Sequence, residues 1–101
     1  MTMKKKKNYT ETFNKKAEIS KLYNSAAYRK LRETVLMECP ICVLCAKEQK
    51  TTLATEVHHM KYISEGRTID EMTKLCMDKE NLIPLCTEHH HFIHNNNIKL
   101  R

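Results

Sequence analysis

Two short ligand pairs constrain this chain more than any other feature. Cys42-x2-Cys45 and Cys86-x2-His89 share a two-residue gap, the spacing at which a knuckle turn aims both side chains at one ion. The stretch between them, residues 46–85, is 40 residues, far more than the roughly 12–15 of a C2H2 finger. It must leave the first pair and return to it, with room for a hairpin and a short helix. Sulfur and nitrogen donors arranged as a tetrahedron suit Zn²⁺. A chain of 101 residues gains folding free energy from such a clip, because small domains bury a modest fraction of their surface. Cys39 stands as far before Cys42 as Cys42 does before Cys45. We take the later pair as the ligands and leave Cys39 as a packed or spare thiol.

The odd total of five cysteines fits metal binding in a reducing setting better than a disulfide framework. The charged start, residues 1–13, has no apolar segment after it, so it does not read as a secretory signal. No run approaches membrane-spanning length. The expectation is a cytoplasmic protein without a membrane partner.

All six histidines fall in two patches, His58-His59 and His89, His90, His91, His94. Successive residues of a strand point to opposite sides, so one ion rarely takes both His58 and His59. That favours a division in which one ring binds an ion and its neighbour stays free to take a proton. On a helix His90 and His94 are four apart and share a face. Cys86 and His89, three apart, point elsewhere, toward the zinc. The histidines left over by the zinc pairs thus suggest a second, catalytic metal site. His91 has no role in this scheme and is expected to be exposed.

Charge is unevenly placed. Residues 1–32 hold ten basic groups, Lys4, Lys5, Lys6, Lys7, Lys15, Lys16, Lys21, Arg29, Lys30 and Arg32, against Glu11 and Glu18. The remainder is slightly acidic, although the chain as a whole carries +6. A basic leading segment suits a polyanion, since neutralising phosphates releases counterions. Residues 1–10 read as a disordered basic arm and 11–38 as a helical segment. In the latter, Ile19, Leu22, Tyr23 and Ala26 follow helical spacing. Ser25 can cap a stretch from Ala26 to about Met37, with Ala27, Tyr28, Leu31 and Val35 on its apolar side. Asn24-Ser25 either breaks one long helix or separates two. Pro40 ends the helix.

Residues 39–97 form the zinc-stapled core. Thr51 to Met60 reads as β-like, and Ser64 to Arg67 as a turn. Thr68 with Glu71 is a capping-box pattern opening a helix that buries Ile69, Met72, Leu75 and Cys76. Asn81 to Leu85 is a short strand, at an edge because of Pro84. Thr87 is placed to cap a final helix to about His94.

Taken in order, Tyr23-Asn24-Ser25, Tyr28-Arg29-Lys30-Leu31-Arg32, Cys42-x2-Cys45, Val57-His58-His59, Asn81-Leu82-x2-Leu85-Cys86 and His89-His90-x3-His94 resemble the small, phage-type HNH endonucleases over about residues 23–95. The resemblance implies an α+β, ββα-metal (treble-clef-like) core with N-terminal helices and a structural zinc. It also implies metal-dependent hydrolysis of DNA phosphodiesters. By the same resemblance His59 is the general base, and Asn81 pins the loop between the strands and orients that base. His58, His90 and His94 are ligands of a catalytic Mg²⁺, Mn²⁺, Ni²⁺ or Zn²⁺. Cys42, Cys45, Cys86 and His89 hold the structural zinc, with His89 where such relatives usually have cysteine. Lys4–Lys7, Arg29, Lys30 and Arg32 are expected to face DNA, and phage packaging or mobile-element proteins are candidate partners. The rival readings are a non-catalytic zinc-stapled DNA-binding or regulatory module and a protein-interaction domain, neither of which needs His58, His59, His90 and His94 together.

Deleting residues 1–9 is expected to weaken DNA binding and flatten its salt dependence while leaving the fold intact, because adjacent lysines act on phosphates without reading bases. Duplex affinity at low and high salt checks this; an affinity unchanged at both would make the arm a solvated tail.

Overall fold

Two polar caps build the amino-terminal half of the structure, a computed structural model that describes residues 14–100. The Lys4–Lys7 arm and the first residues of the expected helical segment lie outside that range. Asn14 Oδ1 accepts the Ala17 N–H at 3.1 Å and starts α1, Lys15–Tyr23. Ser25 Oγ donates to the Leu22 carbonyl at 2.8 Å and accepts from the Tyr28 N–H at 3.1 Å. One hydroxyl therefore satisfies groups at the end of α1 and the start of α2, Ala26–Glu38, which separates two helices. Tyr28 and Val35 are buried and Leu31 half-buried, but Ala26 and Ala27 face outward. α2 stops two residues short of Pro40, whose ring disfavours a helical residue before it.

The chain then makes a tight knuckle. Cys42 caps the short helix α3, Val43–Lys47, and the return is tied by Cys42 N–H to Thr52 O (2.8 Å) and Ala54 N–H to Pro40 O (2.7 Å). The β-like stretch is shorter than its threonines suggest. Ile41 and Leu53 form a single bridge, and strand β1 covers only Glu56–His59. It pairs antiparallel with β2, Leu82–Leu85, setting Val57 opposite Pro84, His58 opposite Ile83 and His59 opposite Leu82.

Between the strands lie a 3-10 turn at Ile63–Glu65, helix α4 at Ile69–Met77 and a second 3-10 turn at Lys79–Asn81. Thr68 Oγ1 accepts the Glu71 N–H at 3.0 Å, as its spacing suggests. The Glu71 carboxylate, however, takes the Arg67 N–H rather than that of Thr68, at 2.6 Å. α5, Thr87–Asn95, is capped not by Thr87 but by Cys86, whose sulfur accepts the His89 N–H at 3.5 Å. Thr87 instead shares a hydroxyl hydrogen bond with Thr55 at 2.9 Å. The sulfur already occupies the cap because it must face the same turn as the His89 ring.

Three apolar clusters fix these elements. Tyr28, Ile63, Met72 and Cys76 join α1 and α2 to α4. Val35, Val57 and Leu82 seat α2 on the sheet. Cys42, Cys45, Leu85, Cys86 and Ile93 hold the knuckle against α5. No helix among the described residues is long and apolar enough to cross a membrane.

Gly66 allows α4 to approach the turn before it. A Cβ there would lie 2.8 Å from both the amide nitrogen and Cγ of Met72, so backbone as well as side chain would have to move. Gly66→Ala is expected to cost about 1–3 kcal/mol, the usual range for overpacking, read as a lower urea midpoint at unchanged slope.

Candidate active site and metal centres

Asn81 fixes the point where β1 ends. It is 8% exposed and spends its amide on backbone. Oδ1 accepts the Lys61 N–H at 2.8 Å, and Nδ2 donates to Lys61 O (2.9 Å) and Leu75 O (3.0 Å). Its own carbonyl takes the Met60 N–H at 2.9 Å. The segment directly after His58-His59 is thereby tied to the end of α4 and the start of β2.

The two strand histidines do point to opposite sides. His59 sits between aromatic rings, with Tyr28 stacked on it (centroids 5.6 Å, 28°) and Tyr23 edge-on at 5.7 Å. Its Nε2 lies 3.1 Å from the Cys76 carbonyl. A carbonyl only accepts, so the neutral ring carries its proton on Nε2 and keeps a lone pair on Nδ1. Burial holds His59 below the ordinary histidine range, against the opposing pull of that carbonyl. Burial also pushes the Tyr28 hydroxyl up to about 12 and the Cys76 thiol up to about 11. Both stay protonated beside it.

His58 faces α5. Its ring lies 5.6 Å from that of His90 and 5.1 Å from that of His94, and the three offer ligand nitrogens all within 4.8 Å of one another. His90 Nε2 and His94 Nε2 are 3.1 Å apart. His58 Nε2 is buried with no hydrogen-bond partner. An orphaned buried nitrogen is costly, and two others converging on the same space make a donor set suited to a divalent ion. Burial, then the neighbouring His94, His90 and His59, lower His58 to about 4, and burial lowers His90 as well. Neutral rings are the form that binds metal.

The second cluster lies on the other side of the same helix. Cys42, Cys45, Cys86 and His89 place their donors within 4.8 Å of one another. Metal–sulfur bonds of about 2.3 Å and metal–nitrogen bonds of about 2.05 Å along tetrahedral directions imply S···S edges of about 3.8 Å and S···N edges of about 3.5 Å. Cys45 Sγ and Cys86 Sγ are 3.8 Å apart. His89 Nδ1 is 3.5, 3.4 and 3.4 Å from Cys42, Cys45 and Cys86 Sγ. The cluster can therefore hold a tetrahedral ion such as zinc. Burial raises the Cys42 thiol, but N–H and side-chain donors around it outweigh that and bring it down to about 7, toward the thiolate a metal needs. Cys39 is exposed and outside the cluster. His91 is exposed.

A cleft of about 710 Å³ runs over the histidines, lined among others by Tyr23, Arg29, Arg32, Glu56, Tyr62 and Ser64. Arg29 and Arg32 thus reach it, whereas Lys30 is exposed and does not line it. Arg32 donates to the Thr55 carbonyl at 2.8 Å, a role in fixing β1 that charge alone does not reveal. Tyr62 also went unread in the sequence. It is edge-on to His58 (5.8 Å) and stacked on His94 (6.0 Å, 24°). Glu48 is another such residue, with a carboxylate oxygen 3.5 Å from His89 Nε2. Only a weak signal marked them: an aromatic four residues after His58, and an acid three after Cys45.

Two antiparallel strands and a following helix, with histidines from β1 and α5 converging, define the ββα-metal class of fold. Among solved structures, the chain is similar to the HNH endonuclease of the deep-sea thermophilic bacteriophage GVE2, crystallised with a manganese ion. The TM-score is 0.70 at 24% identity, covering 92% of this chain and 95% of that one. The chain has the HNH endonuclease fold. No family model matches its sequence, and no curated protein matches it by sequence.

Protein purified without added zinc is expected to carry one tightly held zinc per chain. Cys86→Ser is expected to lose both the metal and the cooperative unfolding transition, because binding free energy at such a site is folding free energy, roughly 10–16 kcal/mol in small zinc domains. Elemental analysis beside urea unfolding decides this; a cooperative native-like fold without bound zinc would refute it.

Proposed function

We propose that this protein is a divalent-metal-dependent DNA endonuclease. The observation that carries the reading is the split between neighbouring strand histidines. His58 aims a buried, unpartnered Nε2 at the space it shares with His90 and His94. His59 turns away and is anchored through Nε2 to the Cys76 carbonyl, with Nδ1 left as a base. We assign His58, His90 and His94 as ligands of one Mg²⁺, Mn²⁺, Ni²⁺ or Zn²⁺. Cys42, Cys45, Cys86 and His89 are assigned to a structural zinc. The likeness to an endonuclease bearing manganese supports the pairing of metal site and activity.

In this mechanism His59 accepts a proton from water as the water oxygen bonds to phosphorus and the bond from phosphorus to the 3′ oxygen breaks. The products are a 5′-phosphate and a 3′-hydroxyl, the alkoxide taking its proton from solvent. His58, His90 and His94 would hold an ion that, when bound, would supply a Lewis acid for the charge that grows in the transition state. Tyr28 and the Cys76 carbonyl fix the ring plane of His59, and Asn81 fixes the strand end that carries it. Positioning of this kind keeps the base within reach of its proton. Arg29 and Arg32 at the cleft and the exposed Lys30 are assigned as DNA contacts, and Lys4–Lys7, outside the described residues, are assigned with them on charge alone.

Supercoiled plasmid incubated with protein freed of loosely held metal, then supplied with each ion in turn, tests the activity. His58→Ala and His59→Ala separate the roles, and neither is expected to change zinc content. His59→Ala is expected to keep catalytic-metal affinity and lose about 10²–10⁴ in cleavage rate. His58→Ala is expected to weaken metal affinity, with part of the rate restored by more metal. The opposite pattern would reverse the two roles, and unaltered cleavage in both would refute the assignment of the chemistry to this site. No cleavage by the unaltered protein with any ion would leave the non-catalytic DNA-binding module as the better account.

A further inference from the structure

We propose that Lys99, held over the Tyr62 ring by the folded-back segment after α5, contacts a backbone phosphate of bound DNA beside the three-histidine site, an inference that rests on the nuclease reading of that site. The segment is positioned by the backbone first. Asn97 adopts a left-handed conformation (φ 53°), which asparagine tolerates better than most residues. The Asn97 N–H reaches His94 O at 3.3 Å and the Ile98 N–H reaches Ile93 O at 3.0 Å. These bonds end α5 and reverse the chain. Ile98 and Leu100 then pack on the cluster of Cys42, Cys45, Leu85, Cys86 and Ile93.

With Ile98 and Leu100 committed to that core, Lys99 between them turns the other way. Its Nζ lies 4.1 Å from the centre of the Tyr62 ring. Tyr62 is the ring that flanks both His58 and His94, so the ammonium stands one aromatic ring from the proposed ion. A cation over the face of a half-buried tyrosine gains modestly, enough to favour a position without neutralising the charge. Among the described residues, no carboxylate forms an ion pair with Lys99. Arg29 and Arg32 bring positive charge to the cleft from α2. Cations on two separate elements therefore stand near the histidine site, as suits a polyanion lying across it.

The zinc-loaded full chain carrying His59→Ala, with no further divalent ion, is the background for the test. Its affinity for a short labelled duplex is measured between about 50 and about 200 mM salt. Lys99→Gln is expected to reduce the slope of log affinity against log salt by about 0.9, the loss of one phosphate contact. Across that range wild-type Lys99 would then lose about 3.5-fold more affinity than the variant. Lys99→Arg should keep the slope, and so should Lys47→Gln, a change of an exposed lysine on α3. A lower unfolding midpoint for Lys99→Gln with an unaltered slope would assign Lys99 to stability alone and overturn the proposal. An equal loss in Lys47→Gln would overturn it too, by showing diffuse charge rather than a placed contact. A background protein with no salt-dependent DNA affinity would sink the nuclease reading itself, an outcome distinct from either.

Discussion

The side-chain amide of Asn81 is the interaction on which the geometry of the cleft depends. Its two hydrogens and its oxygen all go to backbone groups of Lys61 and Leu75, so it joins the end of β1 to the end of α4 and the start of β2. A two-stranded ribbon is marginal by itself, and here each strand has only four residues. The amide network and the packing of Val57 and Leu82 against Val35 supply what so short a ladder cannot. Because the side-chain period of a strand is two, a slip of one residue would exchange the surroundings of His58 and His59. Register and proposed chemistry are one problem, and Asn81 bears on both.

Helix α5 is the other shared element. Its first turn carries Cys86 and His89 toward the sulfur cluster, while His90 and His94 face the space opposite His58. Ile93, 1% exposed, anchors the helix between them. The donor edges around His89 match a tetrahedral ion without adjustment, so the knuckle, β2 and α5 are closed on one another as a unit. An ion held by these four donors would give a chain this small a constraint that a larger domain draws from bulk apolar burial.

Much of this was legible in the sequence, for physical reasons that differ by residue. The doubled two-residue gap of Cys42, Cys45, Cys86 and His89 is a local rule, and such rules survive folding. Ser25 as a cap and the opposed directions of His58 and His59 are local too. Thr87 misled because a hydroxyl is the ordinary cap, whereas here the sulfur of Cys86 faces both the ion site and the helix N–H. The threonines at 51, 52 and 55 misled because β-propensity describes a surface to pack on, and the knuckle gives them none. Tyr23 and Tyr28 were readable as an apolar face, but not what that face covers. Their contact with His59 spans more than thirty residues of chain, and no periodicity reports it. Tyr62, Glu48 and Lys99 are of the same kind.

The adjacency of His89 and His90 has a consequence for the length of this chain. Two donor clusters are addressed by one helix with no residue to spare between them. Each residue added to an α-helix rotates the remaining turns by about 100° and advances them by about 1.5 Å. A single residue inserted between the two would swing His90 and His94 away from His58 while leaving the sulfur cluster whole. Substitutions in this helix can be absorbed one at a time. A change of length cannot, so divergence among sequences sharing this arrangement should leave the count from Cys86 to His94 fixed while the loops on either side of α4 drift in size.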